Sequence, residues 1–106
     1  MVTPHEQYSK LAAKIGLADL YFKREDLHPY GSHKGRSIPV MIEHYAKAGA
    51  TRFAITGSGN AALAAALYIR KFPELSLDIF VGGNIAPHKL AKLKNIVDSP
   101  DCTGRI

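Results

Sequence analysis

The spacing of apolar residues changes several times along this chain, and each change marks a new element. Between Glu6 and Ile15, Leu11, Ala12 and Ile15 stand at helical intervals, and Gly16 offers a stop. Leu20 to Lys23 reads as a short strand, followed by a turn-rich stretch, Asp26 to Ser32, whose last residue can cap a helix. From His33 to Lys47, Ile38, Met41, Ile42 and Tyr45 recur at steps of three and four, which predicts one buried helical face ended by Gly49. Pro39 removes a backbone donor inside that span, so the regular helix either begins near Ser37 or kinks there.

The second half alternates more cleanly. Arg52 to Thr56 is a strand, Gly57-Ser58-Gly59 a tight loop, and Asn60 to Lys71 an alanine-rich helix with Leu63, Leu67 and Ile69 as core. Leu77 to Val81 is a further strand closed by Gly82-Gly83, and Pro87 suits the first position of a helix that runs to Ile96. Strands alternating with helices imply parallel βαβ units with right-handed crossovers. The expected fold is therefore α/β: an open, mostly parallel sheet flanked by helices in three αβα layers, one domain over residues 1–106. Ligands on such sheets lie beyond the carboxyl ends of the strands, which singles out Asp26 to Lys34 and Gly57 to Asn60.

Composition narrows the classes. Apolar residues at 46% and charged residues at 22% are those of a folded protein rather than a disordered one. The net charge of +5 comes from scattered basic residues, with only a loose group at Lys89, Lys92 and Lys94. Scatter favours a solvated surface over a nucleic-acid interface, so no nucleic-acid partner is expected. No apolar run approaches the roughly 18 residues of a membrane span, and the polar start from Met1 to Glu6 lacks a signal core. Cys102 is the single cysteine, which rules out an intrachain disulfide and points to the cytoplasm. His28, His33 and His44 lack zinc-ligand helical spacing, and with His5 and His88 they read as solvated or capping, so no metal site is expected.

The Gly57-Ser58-Gly59-Asn60 loop follows a strand and opens a helix, so free amides and the positive end of the helix dipole would face an anion. Taken alone, the loop also fits a plain turn with Ser58 or Asn60 as a cap, and it lacks both the dinucleotide and the P-loop spacing. The stretch from Lys23 to Arg36 adds a second signal. It resembles the K-x-E-D-x-N-P-x-G-S-x-K-D-R segment of fold-type II pyridoxal-phosphate (PLP) enzymes, which include threonine synthases, threonine and serine dehydratases, cysteine synthases and, more distantly, tryptophan synthase β chains. The family's S/T-S-G-N loop is matched by Gly57 to Asn60, with Asn60 placed 26 positions beyond Lys34. The likeness extends to Thr3-Pro4 and to the strand and helix between Leu77 and Ile96.

That resemblance implies that Lys34 forms the internal Schiff base with PLP and then carries protons, and that Asn60 contacts the cofactor's phenolic oxygen. It further implies that Gly57, Ser58, Gly59, Asn60 and Ala61 grip the substrate's α-carboxylate. Gly35 stands where the family usually has Asp, and Gly57 where Ser or Thr is common. The implied activity is that of a lyase or synthase acting on a small amino acid by α,β-elimination or by β- or γ-replacement. The other reading is a noncatalytic module for an anion or small ligand, or a subunit of a larger complex.

Chemistry sets one further expectation. A lysine must be neutral to attack an aldehyde, yet its reference pKa is about 10.4. An exposed helix terminus contributes about 0.3–1 kcal/mol, less than one pKa unit, whereas burial can shift a lysine by about 3–5 units. An enclosing second domain would provide that burial. The family's phosphate-binding loop belongs to this larger domain and has no counterpart after Ile96, so PLP binding by this chain alone is expected to be weak, with completion by that domain or by a homo-oligomer.

Overall fold

The computed structural model describes residues 1–57, 59–99 and 104–106. It begins with β1 (His5–Gln7), α1 (Ser9–Lys14) and β2 (Tyr21–Lys23), then a single 3-10 turn at Glu25–Leu27. The remainder is α2 (Lys34–Lys47), β3 (Arg52–Thr56), α3 (Asn60–Ile69), β4 (Ser76–Phe80), α4 (Pro87–Val97) and β5 (Gly104–Arg105). A parallel sheet of order β3-β4-β5, flanked by helices, forms the main body.

The strands alternate as half-buried strands should. Phe53 pairs with Leu77 and Ile55 with Ile79, and all four turn toward the core. Arg52, Ala54, Thr56 and Phe80 lie at the surface on the opposite face. At the outer strand Asp78 stands opposite Arg105 and accepts a hydrogen bond from its guanidinium.

Helix α3 is the packing centre. It lies against α2, α4, β3 and β4, and Ala62, Leu63, Ala64, Ala65, Ala66 and Ile69 are buried along it. A helix covered on several sides must be apolar nearly all round, and alanine lets the neighbouring elements approach closely. Gly59 precedes it, and Leu93 of α4 with Ile38 and Ile42 of α2 close the core around it.

Helix α2 departs from the expected apolar face. Ile38 and Ile42 are buried, but Met41 and Tyr45 are 49% and 54% exposed. The buried stripe is narrower than the apolar one because α3 covers only one side of α2. Pro39 is accommodated within a helix that is regular from Lys34 onward, at the loss of one bond to the carbonyl of Gly35.

The start of the chain departs further. The helix expected from Glu6 begins at Ser9, and residues 5–7 instead pair antiparallel with β2, Glu6 opposite Phe22. The Glu6 carboxylate accepts bonds from Arg24 at 2.8 Å and from the Tyr8 hydroxyl at 2.9 Å, partners available only in the extended form. This ribbon stands off from the three-helix body, and the radius of gyration is 16.9 Å, against about 13 Å for a compact domain of 100 residues.

If α3 is the packing centre, enlarging it must hurt. Ala66→Leu, at a fully buried position, is expected to lower stability by about 1–3 kcal/mol. Urea unfolding measures this, and an unchanged midpoint would show that the helix has slack around it.

Candidate functional site

Two helices begin side by side. Gly31, with φ +81°, makes the turn before α2, and a Cβ there would lie 3.6 Å from Cδ2 of Leu63, in the first turns of α3. This contact brings the start of α2, where Lys34 is the first helical residue, next to the start of α3, where Asn60 is the first. Lys34 is half-buried and Asn60 exposed.

The loop after β3 has the geometry its glycines require. Gly57 adopts φ +132°, a region side-chain-bearing residues avoid, while its N–H donates to the Phe80 carbonyl at 3.0 Å and so ties the loop to β4. A Cβ at Gly57 or Gly59 would meet nothing within 4 Å, so the space in front of the loop is open. Gly59, not Asn60, occupies the helix-capping position, and among the described residues no side chain caps α3. The first-turn amides of Asn60, Ala61 and Ala62 have no acceptor within the helix and point outward from its positive end. Ser58 lies outside the described residues.

A cavity of about 310 Å³ adjoins this loop, lined by Gly59, Asn60, Leu63, His88, Lys89, Lys92 and Leu93. Lys34, Gly57 and Ala61 do not line it. His88, expected to be solvated or capping, and Lys89 and Lys92, expected as a loose basic group, are all exposed and line this cavity. Pro87 marks where α4 starts, as its sequence position indicates, but which residues of α4 face α3 depends on packing between separate elements.

The stretch preceding Lys34 is pinned by charge. Arg36 grips Glu25 with two bonds, Nε to Oε2 at 2.7 Å and Nη2 to Oε1 at 2.9 Å, and also donates to the Met1 carbonyl at 2.9 Å. Thr3, only 1% exposed, donates through its hydroxyl to Glu25, and its carbonyl accepts from Lys23. The Ser32 hydroxyl accepts the Lys34 N–H at 3.2 Å. A two-pronged guanidinium–carboxylate pair fixes orientation as well as distance. The clasp therefore ties the amino-terminal ribbon to the first turn of α2, next to the lysine.

Fold and residues together define an α/β protein that presents a lysine and an open glycine loop at the heads of two adjacent helices. The profile of the pyridoxal-phosphate dependent enzyme family matches residues 1–96, and the chain belongs to that family, whose cofactor is PLP. It is 32% identical over 90 residues to a threonine synthase of Methanosarcina acetivorans, a match that covers 85% of this chain and 22% of that protein. The structure of the O-acetylserine-dependent cystathionine β-synthase of Helicobacter pylori superposes with a TM-score of 0.73 at 26% identity, over 89% of this chain and 32% of that one. A PLP-dependent aspartate racemase shares the fold with a TM-score of 0.75 at 20% identity, over 91% and 30% of the two chains. The chain thus spans about a fifth of the threonine synthase and a third of the structural neighbours.

Glu25 supplies a pH test. Its hydrogen bond from Arg36, and then that from Thr3, hold its carboxyl at about 2, below the ordinary 4.5. A carboxyl depressed by folding stabilises the fold fully above its unfolded pKa and loses that contribution as pH falls toward the folded value. The margin of the unmodified protein over Glu25→Gln in urea midpoint is therefore expected to hold above pH 4.5 and shrink toward pH 2. A margin independent of pH would mean that the clasp contributes nothing as an ion pair.

Proposed function

We propose that this chain supplies the cofactor-bearing lysine and the carboxylate loop of a PLP-dependent lyase or synthase. Its substrate is a small amino acid, and its reaction α,β-elimination or β- or γ-replacement. The observation that supports this reading is the closeness of Gly31, three residues before Lys34, to Leu63, three residues after Asn60.

The residues suit the cofactor by their chemistry. Lys34 offers an amine for its aldehyde, and the Asn60 side-chain amide a donor for its phenolic oxygen. When bound, PLP supplies the electron sink for charge developing at the substrate α-carbon. The protein's part is then to orient and to move protons. The amides of Gly59, Asn60 and Ala61 donate to the α-carboxylate, with the helix dipole adding to their pull. The hydroxyl of Ser58 belongs to the same grip. Lys34 would hold the cofactor through its amine and would serve as the group that moves a proton at the substrate α-carbon. The adjoining 310 Å³ cavity gives a small side chain room, at the lower end of the roughly 300–1,000 Å³ typical of ligand pockets.

The cofactor phosphate is held, in this reading, by the portion of the relatives' length that the chain does not span. The chain alone therefore binds PLP weakly, and desolvation of the lysine is completed by that larger domain or by a partner subunit. A protein with a single cysteine suits the reducing cytoplasm, and among the described residues no helix is long and apolar enough to cross a membrane.

Reductive trapping tests the proposal. With PLP and borohydride, peptide mapping is expected to find Lys34 labelled at least about fivefold above the mean of the other lysines, at sub-millimolar cofactor, since weak sites sit near millimolar dissociation constants. Uniform labelling would instead support a noncatalytic anion-binding module.

A further inference from the structure

The segment from Lys23 to Arg36 differs from the family pattern at two places, His28 where the pattern has Asn and Gly35 where it has Asp. These positions meet in space. A Cβ built on Gly35 would stand 2.4 Å from Cε1 and 2.5 Å from Nδ1 of His28, and 2.8 Å from Cβ of Tyr30. Cβ atoms essentially never come within 3.0 Å of another group, so any side chain at position 35 must displace the imidazole and the turn that carries it. Gly35 has no left-handed φ, so it is needed for space and not for backbone freedom.

The imidazole is itself anchored. Its Nδ1 accepts the Tyr30 N–H at 3.1 Å, which assigns the ring proton to Nε2 in the neutral form, and the ring packs against Tyr30 with centroids 5.6 Å apart. The Gly31 N–H closes the same turn onto the His28 carbonyl at 2.7 Å. Tyr30 packs against the core, and its hydroxyl accepts from Lys71, whose ammonium lies 5.1 Å from the ring centroid. A series of contacts therefore runs from Lys71, just past α3, through Tyr30 and His28 to the residue after Lys34.

We propose that His28 is a positioning residue for Lys34, and that His28 and Gly35 act as one interlocked unit. The imidazole fills the space a side chain at 35 would take and fixes the first turn of α2, and with it the direction in which Lys34 leaves the helix. Where the family pattern has a polar pair, this chain holds the turn by volume and one backbone hydrogen bond. The role for Lys34 rests on the reading under Proposed function; the interlock itself does not.

The test uses the whole chain and four proteins: unmodified, H28N, G35D and the H28N/G35D double variant. Two quantities are read on each: the unfolding equilibrium in urea, and the share of PLP–borohydride label that falls on Lys34. G35D is expected to raise the unfolding constant at least about tenfold, and the double variant to recover most of that loss, since residues in contact are not additive. H28N is expected to keep the fold yet lower the Lys34 share at least about threefold, a change that stability alone would not cause. Additive effects, within about twofold, would overturn the interlock. An unchanged Lys34 share in folded H28N would overturn the positioning role. Should G35D not fold, G35A and its double with H28N give the same cycle. If Lys34 is not favoured even in the unmodified protein, the functional reading fails, while the urea cycle still decides the interlock.

Discussion

The constraint on which this structure depends is the burial of one short helix. Helix α3 touches α2, α4 and two strands, and it can do so because alanines at 62, 64, 65 and 66 leave no side chain to hold those neighbours apart. Its amino end follows Gly59, and Leu63 one turn on meets Gly31. The position of Asn60 and the position of Lys34 are thus consequences of the same close packing. A bulkier helix would move both.

Charge and shape complete what packing begins. The Glu25–Arg36 pair and the buried Thr3 hold the strand-to-helix crossing from outside, while His28 and Tyr30 fill it from inside. Isolated ion pairs at a surface contribute little, but one with two bonds and a third partner sets geometry. In the role proposed for Lys34, an amine that must meet a carbonyl in one direction gains from such fixing, because misplacement of a reacting group costs rate steeply.

The parallel βαβ region was legible because its strands bury one face and its helices start at strong signals. Thr56-Gly57 and Pro87 mark boundaries that the structure keeps to within a residue or two. The amino-terminal ribbon was not legible. Glu6 pairs with Phe22 across sixteen positions, and no local period reveals a partner that distant. Helix α2 misled for a related reason: Met41 and Tyr45 share the apolar stripe, but burial is decided by what packs against it, and α3 covers only the Ile38–Ile42 side. At the site, the loop and Lys34 were legible as motifs, with Asn60 opening α3 and Lys34 opening α2. The clasp at Glu25 and the cavity lining at His88, Lys89 and Lys92 depend on contacts between separate elements, which spacing alone does not encode.

The account stands on the two helix starts forming one site. Backbone amide NMR during titration with PLP addresses this directly, because it reads both starts at once. Shifts at Lys34 and Gly35 that rise together with those at Gly59, Asn60 and Ala61, along a single binding curve, are the predicted result. Shifts at only one of the two starts, or two curves with different midpoints, would contradict it.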